Sequence, residues 1–378
     1  MAKIGKKILL LCPSYYPFTG GEKYYQKVAE GLAFKGFRVT VWTPRRDISH
    51  KEEETVNGVR VQRFSNNGLA GVWLFFLKNL AGLFFVDLVH GFDYNSILLW
   101  YLPFRILFFW KPVFVTFLGH EGLFPVPQGI ILRRRLVELI TWGNICGGHY
   151  ITKWYGTKPD YVVYGGCVKP AREVAPPGEP SAVFIGRVQQ DTGLWEYLQA
   201  LVILKEKYDR SLKLDLYGVV KDTALMEKID SFIKEHKLDV KYWGIAQNVE
   251  TTLQKYKYAF LSACLANLEA MVCRRLVFSI YSNPLKKDYL EMVPGARLMN
   301  EICGSPEELA GRIVFHLNDS STDGPMLDKA YAYALSQTWE DAADKHAALF
   351  AKQRPTYKWR ELIGAGWALA LNRYLGAQ

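Results

Sequence analysis

A chain of 378 residues, 49% of them apolar, exceeds what one ordinary core serves; it predicts two domains of roughly 150 to 200 residues with a cleft between them and excludes a disordered protein. The formal net charge of +10 favours anionic company, whether a phosphate-bearing substrate, an acidic membrane leaflet or nucleic acid. Nucleic acid ranks last, because the basic residues are scattered as Lys6–Lys7, Arg45–Arg46, Arg133–Arg135, Arg274–Arg275 and Lys286–Lys287 without zinc-finger spacing or a recognition-helix pattern.

The first strand starts almost at once. Its apolar run Ile8–Cys12 is too short for a signal peptide, so secretion is not expected. From there, short apolar runs alternate with helix-like stretches, the pattern of parallel strands covered by crossover helices. Strands are predicted at Lys7–Cys12, Arg38–Thr43, Val59–Phe64, Val86–His90, Val113–Phe117, Asn144–Gly147 and Tyr161–Val163. Together they make an α/β domain over residues 1–167. The segment Val168–Ser181, with four prolines and almost no periodic apolar signal, reads as the interdomain linker. The alternation then restarts. A strand at Ala182–Ile185, a helix over Leu194–Glu206, and strands at Leu212–Tyr217, Val240–Trp243, Tyr258–Ser262 and Leu276–Ile280 predict a second doubly wound sheet over 182–353. The last segment, 354–378, spaces Trp359, Leu362, Ile363, Trp367 and Leu371 like a helix and is expected to pack back on the first domain. Six cysteines, Cys12, Cys146, Cys167, Cys264, Cys273 and Cys303, form no CxxC pair and read as reduced thiols of a cytoplasmic protein.

The run Gly68–Val86 approaches the length of a membrane span. Its lysine, Lys78, would cost about 2.5 to 3.5 kcal/mol at mid-span, so a helix covering the sheet is the favoured reading. Trp73, Phe75, Phe76, Phe84, Phe85, Trp100, Tyr101, Phe104, Phe108, Phe109 and Trp110 exceed what one sheet face requires. Ordinary core is the leading account of them. The other is a patch resting on an anionic membrane surface, helped by Arg105 and Arg133–Arg135.

Three motifs carry chemistry. Gly20–Gly21 follows the first strand and opens a helix, where backbone can approach a ligand and the helix start favours anions; an unremarkable turn is the alternative. Gly186–Arg187 ends the first strand of the second half, and the arginine offers a planar fork suited to a diphosphate, or else a surface ion pair. Glu269, in Leu268-Glu269-Ala270-Met271, sits near the start of a helix behind a strand, where its carboxylate can accept two ribose hydroxyls or simply face solvent. The chain shows no Asp-x-Asp, His–Cys cluster, HExxH, GxSxG or P-loop, so no catalytic metal and no cofactor is expected, and hydrolase and phosphoryl-transfer chemistry are disfavoured.

In order along the chain, these motifs resemble glycosyltransferase family 4, the retaining transferases of the GT-B type. Gly119-His120-Glu121, Tyr164-Gly165-Gly166, Gly218, Trp243-Gly244 and Trp339 extend the resemblance over nearly the whole sequence. It implies two Rossmann-like domains facing a cleft, with a nucleoside-diphosphate sugar held mainly by the second and a glycan or lipid-linked acceptor on the first. Arg187 would contact the diphosphate, Glu269 the ribose and His120 the transferred sugar, these three forming the catalytic set. Gly20, Gly21, Gly186, Thr192, Gly218 and Leu265 would complete the donor site. The implied mechanism needs no protein nucleophile and no metal; orientation and stabilisation of the leaving diphosphate carry it. Two positions depart from the family pattern. Thr192 stands where a lysine is usual, and Leu261 where an acid is usual, with Arg274, Arg275, Lys286 or Lys287 as candidate replacement cations. These departures keep open a catalytically silent relative that binds a nucleotide sugar or a partner; an epimerase is a weaker rival. The expected location is the cytoplasm, peripheral to the inner face of the membrane.

Overall fold

The computed structural model describes residues 5–16, 20–47, 49–65, 68–119, 123–220 and 222–356. The first sheet is built from β1 (Lys7–Leu11), β2 (Arg38–Arg45), β3 (Glu53–Val56), β4 (Val59–Ser65), β5 (Leu88–Phe92), β6 (Val113–Phe117), β7 (Gly143–Cys146) and β8 (Tyr161–Val162). Their order across the sheet is β3-β4-β2-β1-β5-β6-β7-β8, parallel throughout except for β3, which returns antiparallel on β4. On one face lies α1 (Gly20–Phe34). On the other lie α2 (Gly68–Lys78), α3 (Leu80–Phe85), a wide helical turn at Ser96–Tyr101, α4 (Leu102–Leu107) and α5 (Gln128–Ile140), and the short α6 (Tyr150–Tyr155) precedes β8. The continuous apolar run of β1 follows from this covering: Ile8, Leu9, Leu10 and Leu11 are all buried, as a parallel strand between two helical layers requires.

The second sheet has the order β11-β10-β9-β12-β13-β14 and is wholly parallel. Its strands are β9 (Ser181–Ile185), β10 (Lys213–Tyr217), β11 (Val240–Tyr242), β12 (Tyr258–Phe260), β13 (Leu276–Ile280) and β14 (Glu301–Cys303). The intervening helices are α7 (Leu194–Tyr208), α8 (Thr223–Glu235), α9 (Val249–Leu253), α10 (Cys264–Val272) and α11 (Pro284–Glu291), followed by α12 (Pro306–Asn318), α13 (Asp323–Ser336) and α14 (Trp339–Phe350). In both sheets the strand order reverses beside the first strand, between β1 and β5 and between β9 and β12. Such switch points leave a crevice at the carboxyl ends of the strands, where ligands of open α/β sheets bind.

Most predicted strands are present, several shifted by a residue or two. Two short ones, β3 and β14, were not anticipated. The run Gly68–Val86 is two helices rather than one: the Asn79 side chain donates to the Phe75 carbonyl at 2.8 Å and closes α2 before α3 begins. Among the described residues no helix is long and apolar enough to cross a membrane.

The second domain ends earlier than 353. Thr338 caps α14 by accepting the Asp341 N–H at 3.0 Å, and α14 then packs on α1 in the first domain. Trp339, Ala342, Leu349 and Phe350 share a buried cluster with Ile8, Tyr24, Val28, Leu32 and Phe114. Gly31 permits the approach, since a Cβ there would lie 2.7 Å from that of Ala343. Beneath α14, Thr116 bridges two buried imidazoles, with His90 Nε2 at 2.9 Å and His346 Nε2 at 3.1 Å from its Oγ1. The two interdomain crossings run side by side, Cys167 N–H donating to the Gln337 carbonyl at 2.9 Å. Past Phe350 the chain stays on the first domain, where Lys352 pairs with Asp160 at 2.5 Å and Thr356 N–H donates to the Trp142 carbonyl at 3.1 Å. The rest of the expected helical tail lies outside the described residues.

The aromatic run divides between the two readings, with Phe75 and Trp100 packed against the core. Phe76, Tyr101, Phe104 and Phe108 are buried, but Trp73, Phe84, Phe85, Phe109 and Trp110 are exposed. Their helices present more apolar face than the sheet can cover. Nor do Arg105 and Arg134 face outward: Arg134 is fully buried, and Arg105 binds backbone carbonyls.

Candidate functional site

The wall from the second domain is built on glycine. Gly218 follows β10 with φ +150°, and a Cβ there would fall 1.6 Å from the Gly186 carbonyl oxygen, so two strand ends press backbone against backbone. Gly186 N–H donates to the Tyr217 carbonyl at 3.0 Å, and Gly218 N–H to the Gly244 carbonyl at 2.8 Å. From this ledge Arg187 reaches into solvent, 44% exposed, with Asp191 Oδ2 at 3.4 Å from its Nη2. Thr192 turns its hydroxyl inward, donating to the Gln189 carbonyl at 2.7 Å and closing the loop that leads through Gly193 into α7. An open depression follows, lined by Gln189, Gln190, Asp191, Glu196, Asp222, Ser282 and Asn283 at the carboxyl ends of β9, β10 and β13. Burial raises the Glu196 carboxyl above its ordinary range.

The second element is the start of α10. Ser262 is held by the Tyr197 hydroxyl at 2.8 Å, by the Ile280 N–H at 2.9 Å and by its own bond to the Ile280 carbonyl at 2.9 Å. The Cys264 N–H donates to the Tyr289 hydroxyl at 2.7 Å. One helix-start amide thus has a protein partner. Leu265 faces the first domain: its side chain lies 3.6 Å from where a Cβ of Gly20 would stand and 3.2 Å from that of Gly165. One turn on, Glu269 accepts from Lys23 Nζ, with the carboxylate side chain only 16% exposed.

Lys23 was missed by the sequence reading. A lysine in the first turn of a helix opposes the helix dipole, and that was the available signal; its partner stands on the other domain. The structure therefore brings together Gly20, Gly21, Lys23, Leu265 and Glu269, all at switch points of their sheets. Arg187 and Glu269 are paired with different partners. Leu261, where the resemblance implies an acid, is 2% exposed in the core beneath α10. Of the candidate replacement cations, Arg274 pairs with Asp328 at 2.8 Å and Arg275 is buried, bonding the Val174 carbonyl at 2.6 Å. Lys286 and Lys287 lie over the rings of Tyr289 and Tyr281, at 4.7 and 5.8 Å.

His120 lies outside the described residues; the two residues before it, Leu118 and Gly119, are described. Arg134 donates to the Leu118 carbonyl at 2.6 Å and stacks over Tyr155 at 4.1 Å, while any Cβ on Gly119 would collide with the Tyr150 hydroxyl. Among the described residues no group of three or more His, Cys, Asp or Glu is arranged to hold a metal ion.

A family model, Glycosyltransferase Family 4, matches residues 18–142. Comparison with curated protein sequences gives no match. Solved structures align over nearly the whole chain. Sucrose-phosphate synthase from Thermosynechococcus elongatus, 15% identical, has a TM-score of 0.74 over 95% of this chain and 100% of its own. Anabaena HepE in complex with UDP and glucose, 13% identical, has a TM-score of 0.72 over 92% and 100%. WaaG, a glycosyltransferase involved in lipopolysaccharide biosynthesis, is 16% identical with a TM-score of 0.62 over 89% and 98%.

The fold is that of the GT-B glycosyltransferases. The Lys23–Glu269 bridge joins the two domains of this fold.

Proposed function

We propose that the chain is a metal-independent retaining glycosyltransferase that moves a sugar from a nucleoside-diphosphate sugar to an acceptor hydroxyl. The observation that carries this is the convergence of the Gly20–Gly21 helix start and the Leu265–Glu269 turn from two opposed switch points. In this reading the second domain grips the donor. Arg187, free of close packing, holds the diphosphate; Glu269 accepts the ribose hydroxyls once Lys23 releases it; and Gly186 and Gly218 let backbone come close. Lys23 then supplies the positive charge that Thr192 does not. His120 stands against the transferred sugar. Catalysis follows from orienting both substrates and stabilising the departing diphosphate.

The acceptor we assign is a glycan on a lipid-linked or cell-envelope carrier, met at the inner face of the membrane; the likeness to WaaG supports that class. HepE has been seen with UDP-glucose, so UDP-sugars head the donor panel. The test is a thermal-shift screen of nucleoside-diphosphate sugars, followed by nucleotide release with a native lipid extract. A ligand bound only by the folded state raises its stability with the logarithm of concentration.

A second reading has its own support. Leu261 in the core and Glu269 held by Lys23 favour a silent relative that binds a nucleotide sugar without turnover. A thermal shift with no nucleotide release across acceptor extracts would select it.

A further inference from the structure

The amino-terminal edge of the first sheet, remote from the cleft, carries an apolar rim. Phe84 and Phe85 end α3, and Ile106, Leu107, Phe109 and Trp110 end α4 and the turn before β6; Phe85, Ile106 and Phe109 are 64%, 72% and 67% exposed. Phe84 stands edge-on to Phe85 at 5.4 Å and Phe109 edge-on to Trp110 at 5.3 Å, and the buried Phe108 ring joins the two pairs, 6.4 Å from Phe84 and 5.7 Å from Trp110. Exposed apolar surface of this density marks an interaction face.

The backbone beneath the rim tells what it meets. Turns exposed to water can leave their carbonyls to the solvent; turns placed in hydrocarbon cannot. Here two cations satisfy them internally. Arg105 bonds the carbonyls of Phe108, Phe109, Lys111 and Ile140 at 3.3, 2.7, 3.2 and 3.1 Å, and Lys111 Nζ bonds those of Phe84 and Val86. Charge agrees. Lys7 and Lys78 are exposed, and of the two acids between Gly68 and Gly119, Asp87 and Asp93, the second is buried. Asp87 accepts the Lys7 N–H at 2.7 Å, and Lys7 Nζ stands 5.9 Å from the Phe85 ring.

We infer that this rim docks into the surface of an anionic phospholipid bilayer, with Phe84, Phe85, Phe109 and Trp110 entering the headgroup boundary and Lys7 and Lys78 meeting lipid phosphates. The inference gives a surface to the lipid-linked acceptor of the proposed function and rests on that reading for its purpose.

The test is sedimentation of the full chain with vesicles of phosphatidylcholine alone or mixed with phosphatidylglycerol, at low and high salt. Pelleting is expected with the anionic vesicles at low salt, falling at high salt. Phe109→Ser with Trp110→Ser should cut it at least about tenfold, with the melting temperature and its shift by nucleotide sugars unchanged. Absence from the pellet at low salt, or a double variant that pellets like the parent, overturns the inference. So does a variant whose only change is from dimer to monomer by size exclusion, which would give the rim to a second copy. Pelleting abolished by Trp359→Ser with Trp367→Ser and untouched at the rim would move the contact to the chain's end. A nucleotide-sugar shift without pelleting sinks the docking alone; pelleting without that shift sinks the transferase alone.

Discussion

Lys23 in the first turn of α1 and Glu269 in α10 form an ion pair that joins the two domains across the cleft. It is held at a partly buried position, where a charge-assisted bond is worth more than on an open surface. In the proposed function, a donor that takes Glu269 would free Lys23 beside the diphosphate. Lys23→Met should therefore weaken nucleotide-sugar binding by about tenfold or more, a charge-assisted bond being worth roughly 1.5 to 3 kcal/mol, while Lys23→Arg retains most of it. Titration calorimetry checks both; tighter binding by Lys23→Met would instead make the pair a latch that excludes the donor.

Arg187 stands on the glycine ledge with Asp191 as its ion-pair partner. Its exposure makes that pair weak, so the guanidinium can turn to a diphosphate with little loss. Arg187→Ala should lower donor affinity by more than about tenfold and leave the melting temperature within a degree or so of the parent. Unchanged affinity would remove Arg187 from the site.

Gly218→Ala should destabilise the second domain by about 2 kcal/mol or more, because the new Cβ would collide with the Gly186 carbonyl in a backbone conformation side chains avoid. Gly129→Ala, in α5 with nothing within 4 Å of the new Cβ, should leave stability unchanged or slightly raised. Paired denaturant melts distinguish them.

Acid should weaken the fold in two stages. Burial pushes the His346 imidazole down to about 4, and burial with the neighbouring His346 carries His90 well below its ordinary value. The unfolded chain takes up those protons first, so this stability is full above the ordinary histidine range near 6.5 and is lost as pH falls from there through about 4. Glu301 behaves in the same direction at lower pH. Burial raises its carboxyl, but hydrogen bonds and charge from His316 and Arg312 outweigh that and bring it to about 2. Its stability is present above the ordinary carboxylate value of 4.5 and lost as pH falls through about 2. The His346 and Glu301 shifts are each worth on the order of 3 kcal/mol. In His346→Gln the slope of stability between pH 6.5 and 4 should flatten, and an unaltered slope would assign the loss elsewhere.

Most strands were legible because they are apolar runs bounded by turn chemistry; β13 and β6 fall where the runs fall. The short edge strands β3 and β14 carry no such run. Glutamates open both, and their pairing is decided by neighbours distant in sequence. Gly186 and Gly218 stand at strand ends, where glycine punctuation put them, while Leu265 was implied by the resemblance alone. Lys23 was not legible, because its role exists only when two helices from separate domains meet. Leu261 could be counted as a departure from the family, yet that it lies in the core rather than at the cleft is visible only in three dimensions. Composition left both core and an exposed patch open for the aromatic run, and only packing says how many rings the sheet can hide.

The placement of α14 has a consequence for how the protein comes to be made. Ile8, Leu10 and Tyr24 wait for Trp339, Leu349 and Phe350 to complete their layer, so the domain that leaves the ribosome first is closed by a helix synthesised after the whole of the other. Until then its α1 face stays open to chaperones. A fragment cut at the interdomain linker would carry that unfinished face permanently.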